Sequence, residues 1–291
     1  MSSIAPAIPA PGQNTLLATL AKAGAIYKRD RRIATSYDMA FIIQWLQIVV
    51  QVFVFYFIAK LIPPGKNSHF PGFSYWLISL GFSRFQLTAL QAFQTAIRGD
   101  QMLGTLECVL VTPTSLATVV MSPGLWGFTL TALQVILYIV MGMFLGVDFS
   151  HVNFLTLIVF VLLTIACMSP LGVMAASTIM TFKQNAPTQF VAGSAAQLLG
   201  GMLIPVALLP KPLQLLSWCL PITHSLNGIR AAIGLLPGHQ KMTAGAALTD
   251  PAVASDAIWL LVATAILLPL SLFIFRTAVN RARRDGTLGH Y

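Results

Sequence analysis

Charge is what this sequence lacks. Only 9% of its 291 residues are charged, with 8 Asp+Glu against 17 Lys+Arg, whereas a soluble domain carries about 25%. So few polar groups could not cover a soluble fold of this size. The 56% of hydrophobic residues and a mean hydropathy of +0.79 point instead to a protein whose solvent is the bilayer. Cysteine is scarce too: Cys108, Cys167 and Cys219 lie far apart, with no CxxC and no Cys/His cluster, and indicate neither a disulfide framework nor a metal site. Also missing are the phosphate-cradling G-x-x-x-x-G-K-[ST] loop, H-E-x-x-H, G-x-S-x-G and any paired-carboxylate motif. The opening MSSIAPAIPAPGQN has no basic n-region leading into a short apolar run, so no cleaved signal peptide is expected. The net charge of +9 does not call for nucleic acid, because Lys and Arg flank apolar runs, as topology signals do.

What is there is six apolar stretches of spanning length, given that a hydrocarbon core about 30 Å thick takes roughly 20 helical residues. They run from about Ala40 to Ile62, Phe73 to Ile97, Val119 to Leu145, Phe154 to Thr181, Phe190 to Leu209 and Ala257 to Phe275. The second is more polar than the rest. Placing the N-terminus inside puts eleven Lys and Arg in the inner segments and five (Lys60, Lys66, Lys211, Arg230 and Lys241) in the outer ones, with Arg84 left within a span. Both termini are therefore expected to be cytoplasmic in a cell (inner) membrane. The organisation follows: residues 1–39 are a cytoplasmic segment, 40–276 a six-helix domain and 277–291 a basic cytoplasmic tail. The basic stretch 14–39 reads equally as an amphipathic helix on the inner surface, in contact with lipid, or as a bare topology anchor. In the outer loop 210–256, Leu213, Leu216 and Leu220, then Leu226, Ile229 and Ile233, fall at helical spacing and read as two short helices dipping into the outer leaflet.

The spans contain no Asp or Glu, which weighs against a proton-driven carrier and against a metal-dependent membrane enzyme. Their polar residues are arranged in stripes. Gln44, Gln47 and Gln51 share one face of the first span; Arg84, Thr88, Gln91, Thr95 and Arg98 follow at spacings of four and three in the second. Helix–helix hydrogen bonding accounts for the Gln stripe most simply. Arg84, with no acid in any span to pair with, points rather to a transport path. Gly142 and Gly146, and Ala192, Ala196 and Gly200, are small residues four apart that suit close helix packing, and Pro170 and Pro205 suit kinks.

Between the second and third spans lies RGDQMLGTLECVLVTPTS. Asp100 can cap a short helix that Thr112-Pro113 would stop, with Met102, Leu103, Leu106 and Leu110 on one face. Spacing alone reads this as a plain interfacial helix. The segment nevertheless resembles the cytoplasmic loop of ABC-2 type permeases, the membrane subunits of ABC exporters. LLPKPLQLLSWCLPITHSLNGIRAAI is similar to that family's signature ahead of the last span, with the drug-resistance and nodulation-factor exporters the nearest branch. The family commonly carries a charged residue where this chain has Gly99.

The resemblance implies an all-α polytopic permease with an N-terminal connecting helix and outer re-entrant helices. It also implies a separate P-loop ATPase subunit that binds ATP and Mg, no cofactor in this chain itself, and a second permease subunit. Asp100, Gln101, Gly104, Thr105 and Glu107 in the loop 98–115 would form the coupling helix, and Gln44, Gln47, Gln51, Arg84, Thr88, Gln91 and Thr95 a transport path for an amphipathic drug, lipid or glycolipid. The rival expectations are an ATP-independent carrier or channel and a membrane enzyme of lipid metabolism.

Overall fold

A computed structural model describes residues 15–35, 38–61, 72–102, 124–150, 152–182, 197–234 and 250–284. Every regular element among them is helical. In chain order they are α1 (Thr15–Thr35), α2 (Asp38–Leu61), α3 (Phe73–Met102), α4 (Gly124–Phe144), α5 (Phe154–Phe182), a 3-10 turn (Val206–Leu208), α6 (Lys211–Trp218), α7 (Pro221–Ile233) and α8 (Pro251–Arg284). Four stretches are long and apolar enough to cross a membrane: Phe41–Leu61, Gly124–Phe144, Phe154–Ser177 and Pro251–Arg281.

The polarity of the second expected span has a structural cause. Its helix α3 is 30 residues long and central, packed by α4, α5, α7 and α2. Tyr75 through Ser83 are buried without interruption, so its hydroxyls and amides face protein and lipid has no need of apolar residues there. The most extensive helix contact joins α5 to α8, and α5 also backs α3 and α7. Glycines set these distances. A Cβ on Gly172 of α5 would lie 2.1 Å from the Ala89 carbonyl oxygen of α3, and one on Gly228 of α7 would lie 1.9 Å from the Phe160 ring of α5. The core around them holds Leu77, Phe85, Phe160, Met168, Leu226 and Leu260.

Several expectations are corrected. The fifth span was expected to reach Leu209, but its described end is helical only at 197–199; the chain then turns at Gly200 and Gly201 (φ +74°). Pro205 therefore precedes the 3-10 turn and kinks no helix, whereas Pro170 lies inside α5. The last helix starts at Pro251, not near residue 257, because Asp250 opens it: its side chain accepts from the Ala252 N–H at 2.9 Å. Gly142 is a packing residue, whose Cβ would meet Leu77 Cδ2 at 2.3 Å. Gly146 is not. It ends α4 in the left-handed region at φ +88°, with the Val147 N–H returning to the Gly142 carbonyl and its own N–H to that of Met143, a glycine-closed helix end. Ala192 and Ala196 lie outside the described residues.

The two short outer helices are where their leucine spacing put them, but only one is buried. Eleven of the thirteen residues of α7 are buried, among them Leu226, Ile229 and Ile233. On α6 the expected inner face lies open, with Leu213 37% and Leu216 55% exposed. At the other end of the bundle α1 touches α4 and α2, and Tyr27 meets Trp126 edge-on at 5.7 Å.

Candidate functional site

Three helices bring their polar residues to one point. From α2 comes Gln51, whose Oε1 accepts from Arg84 Nη2 of α3 at 2.8 Å and from the Tyr138 hydroxyl of α4 at 2.9 Å. Arg84 also donates to that hydroxyl, at 3.4 Å. One turn further along α3, the hydroxyls of Thr88 and Thr131 of α4 lie 2.6 Å apart. Arg84 is half-buried, and all its partners here are neutral. Its charge is oriented by hydrogen bonds yet cancelled by none of them, a state that suits a visiting anionic or strongly polar group.

Of the seven residues expected to line a path, the structure thus joins Gln51 and Arg84 and sets Thr88 beside them. Gln44 is half-buried, and Gln47, Gln91 and Thr95 are exposed; the Thr95 hydroxyl is turned back onto the Gln91 and Ala92 carbonyls of its own helix. Tyr138 escaped the sequence reading, although Thr131, Gln134 and Tyr138 follow the same three-and-four spacing as the stripes that were noticed.

The coupling segment is described only at its start. Asp100 and Gln101 belong to the last turn of α3, which runs unbroken from Phe73 to Met102. This corrects the expectation that Asp100 opens a helix of its own. Gly104, Thr105 and Glu107 lie outside the described residues.

A second cluster lies near the other end of α3. Arg230 of α7, counted in the sequence as an outer-loop charge, is buried at 3% exposure. It donates to the Gly201 carbonyl at 2.7 Å and to Ser79 Oγ at 2.6 Å, and its guanidinium lies over the Tyr75 ring at 3.9 Å. The Tyr75 hydroxyl donates to the same Gly201 carbonyl at 2.6 Å, and Trp76 Nε1 to the Leu203 carbonyl at 2.9 Å. These donors collect the backbone oxygens freed where the chain leaves its helix at Gly200. Buried carbonyls cannot be left without partners. Without Arg230 the topology count still favours the inner side, eleven to four.

Among the described residues no group of three or more His, Cys, Asp or Glu is placed to hold a metal. No curated protein matches the sequence. A family model does match: that of the ABC-2 type transporter, over residues 22–233, which takes in α1 through α7 and with them both clusters. The helical bundle, its spanning helices and this match agree, and the chain is an integral membrane protein belonging to the ABC-2 type transporter family, a permease component of ABC-type transporters and not by itself a catalytic enzyme.

Proposed function

We propose that this permease exports an amphipathic molecule carrying an anionic or strongly polar group, such as a drug, lipid or glycolipid, and is driven by a separate P-loop ATPase. Two permease subunits, identical or not, would pair with two ATPase subunits in the inner membrane, with both termini cytoplasmic. ATP and Mg²⁺ belong to the ATPase. The observation that carries the reading is Arg84, a half-buried cation held by Gln51 and Tyr138 with no carboxylate beside it. The same helix, about 45 Å long at 1.5 Å per residue, ends at Asp100 and Gln101. A load felt at Arg84 and a push delivered beyond Met102 would therefore act on one rigid element. Gln101, Gly104, Thr105 and Glu107 are the residues we assign to ATPase contact, with Asp100 at the junction.

The test is substrate-stimulated ATP hydrolysis by the complex reconstituted in lipid vesicles. Arg84→Gln keeps a hydrogen-bonding side chain and removes the charge. A hydrogen bond to a charged group contributes ~1.5–3 kcal/mol, so stimulation should fall on the order of tenfold or more while assembly and basal hydrolysis persist. Full stimulation in the variant would remove Arg84 from the path. Transport by the permease without any ATPase would overturn the ATP-driven reading.

A further inference from the structure

His224, in the outer helix α7 and outside the spans, is held on both edges and one face. Its Nδ1 lies 2.6 Å from Asp256 Oδ1 of α8, and its Nε2 lies 2.8 Å from the Trp218 carbonyl at the end of α6. Trp259 of α8 stacks on the ring at 4.3 Å between centroids, 21° from parallel. Side-chain exposure is 9% for the histidine and 15% for the aspartate, so water cannot readily replace a lost partner.

Counting protons shows what this arrangement demands. A neutral imidazole has one N–H and one lone pair. With the proton on Nδ1, the Nε2 lone pair faces a carbonyl lone pair at 2.8 Å. With the proton on Nε2, the Nδ1 lone pair faces a carboxylate oxygen at 2.6 Å. Both contacts are attractive only when the His–Asp pair holds two protons, one on Nε2 and one between Nδ1 and Oδ1. This holds whichever of the two side chains formally owns the second proton. Remove one proton and two lone pairs oppose each other in a nearly dry site, which the chain can relieve only by parting.

The surroundings leave this control to the pair. The helices packed on α7 are α5, α8, α3 and α6. α8 contributes Asp256. The 29 residues of α5 include no ionisable side chain but Cys167. From α3, Tyr75 lies under Arg230 of α7, and both bond to Gly201. On α6, Lys211 is at the far end, and Cys219, just beyond it, is exposed.

We propose that His224 and Asp256 form a proton-operated latch that ties the outer pair α6–α7 to the head of α8 and releases it when the pair loses one proton. Burial alone would lower the histidine's proton affinity. The bonds to Asp256 and the Trp218 carbonyl, with the charge of Asp256, outweigh burial and hold it above the ordinary histidine value. A raised value fixes the sign: the latch is closed and fully stabilising at and below about pH 6.5, and is lost as pH rises through the higher folded-state value. The inference is independent of what the protein transports.

The experiment reads the latch through Cys219. The full-length permease, with Cys108→Ser and Cys167→Ala, is labelled at Cys219 with bimane in lipid nanodiscs and titrated from about pH 5.5 to 9.5, bracketing the histidine range. Emission should change in one single-proton step above about pH 6.5. Asp256→Asn removes the anion that retains the proton, so the midpoint should drop by about one unit or more. His224→Phe keeps a ring against Trp259 but has no N–H, and should show the alkaline emission at every pH. A parent without a transition, or an unmoved midpoint in Asp256→Asn, would overturn the latch; so would a transition surviving in His224→Phe.

Discussion

Arg230 is buried, yet among the described residues no carboxylate pairs with it. Its charge is met by two neutral oxygens, the Gly201 carbonyl and the Ser79 hydroxyl, and by the face of Tyr75, while its Nε has no partner. Such a site needs the planar fork of arginine. A lysine ammonium is a point donor that cannot span both oxygens and stack as well. Arg230→Lys should therefore cost about 2–3 kcal/mol, the value of a charge-assisted hydrogen bond lost in a dry site. Tyr75→Phe keeps the ring under the guanidinium and removes only one of two donors to the Gly201 carbonyl, so about 1 kcal/mol is expected. Denaturation of the purified permease in mixed micelles would rank the two. If Tyr75→Phe were the more damaging, the phenol and not the guanidinium would be what holds the reversal at Gly201.

For whole helices the decisive residues are glycines. At Gly172 the obstacle to a side chain is the Ala89 carbonyl oxygen, which is backbone and cannot swing away, so Gly172→Ala must separate α3 from α5. The variant should lose about 1–3 kcal/mol, the usual cost of overpacking, and should also disturb Arg84, five residues before Ala89 on α3. Gly24 of α1 is the matched control. Nothing lies within 4 Å of a Cβ built there, and alanine gains up to about 1 kcal/mol of helix propensity over glycine. Thermal unfolding should separate them, with Gly172→Ala melting lower than the parent and Gly24→Ala melting no lower. Equal melting of all three would mean that α3 and α5 are not in close register at Gly172.

Taken entire, the molecule is built inside out relative to a soluble fold. Phe57, Leu61, Ile266 and Phe273 are at least half exposed on α2 and α8, while Gln86, Gln94, Gln134 and Arg230 are buried between helices. That inversion is stable only in lipid, where an unpaired polar group costs several kcal/mol and an exposed leucine costs nothing. The charge split of the sequence then orients the bundle, and thiol labelling can check it. With each cysteine as the sole thiol in intact cells, an impermeant maleimide should reach the exposed Cys219. It should not react with Cys108 until the membrane is opened, nor readily with the buried Cys167. Labelling of Cys108 from outside would reverse the orientation.

The helical class, the apolar spans and the limits of α6 and α7 were legible in the sequence because each is local. A run of about 20 apolar residues has no other stable use, and Pro210, Pro221 and Gly234 mark where the outer helices start and stop. The family loop was legible as a motif for the same reason. What only the tertiary structure decided is which stripes meet. Gln51 finds Tyr138 87 positions later, Arg230 finds Ser79 151 positions earlier, and His224 finds Asp256 across 32. Helical periodicity tells which residues share a face, but it is silent on which helix that face meets and at what height. Those follow from rotation and sliding of whole helices until glycine gaps such as Gly172 and Gly228 are filled by their neighbours, and close packing at those gaps is a property of two surfaces at once.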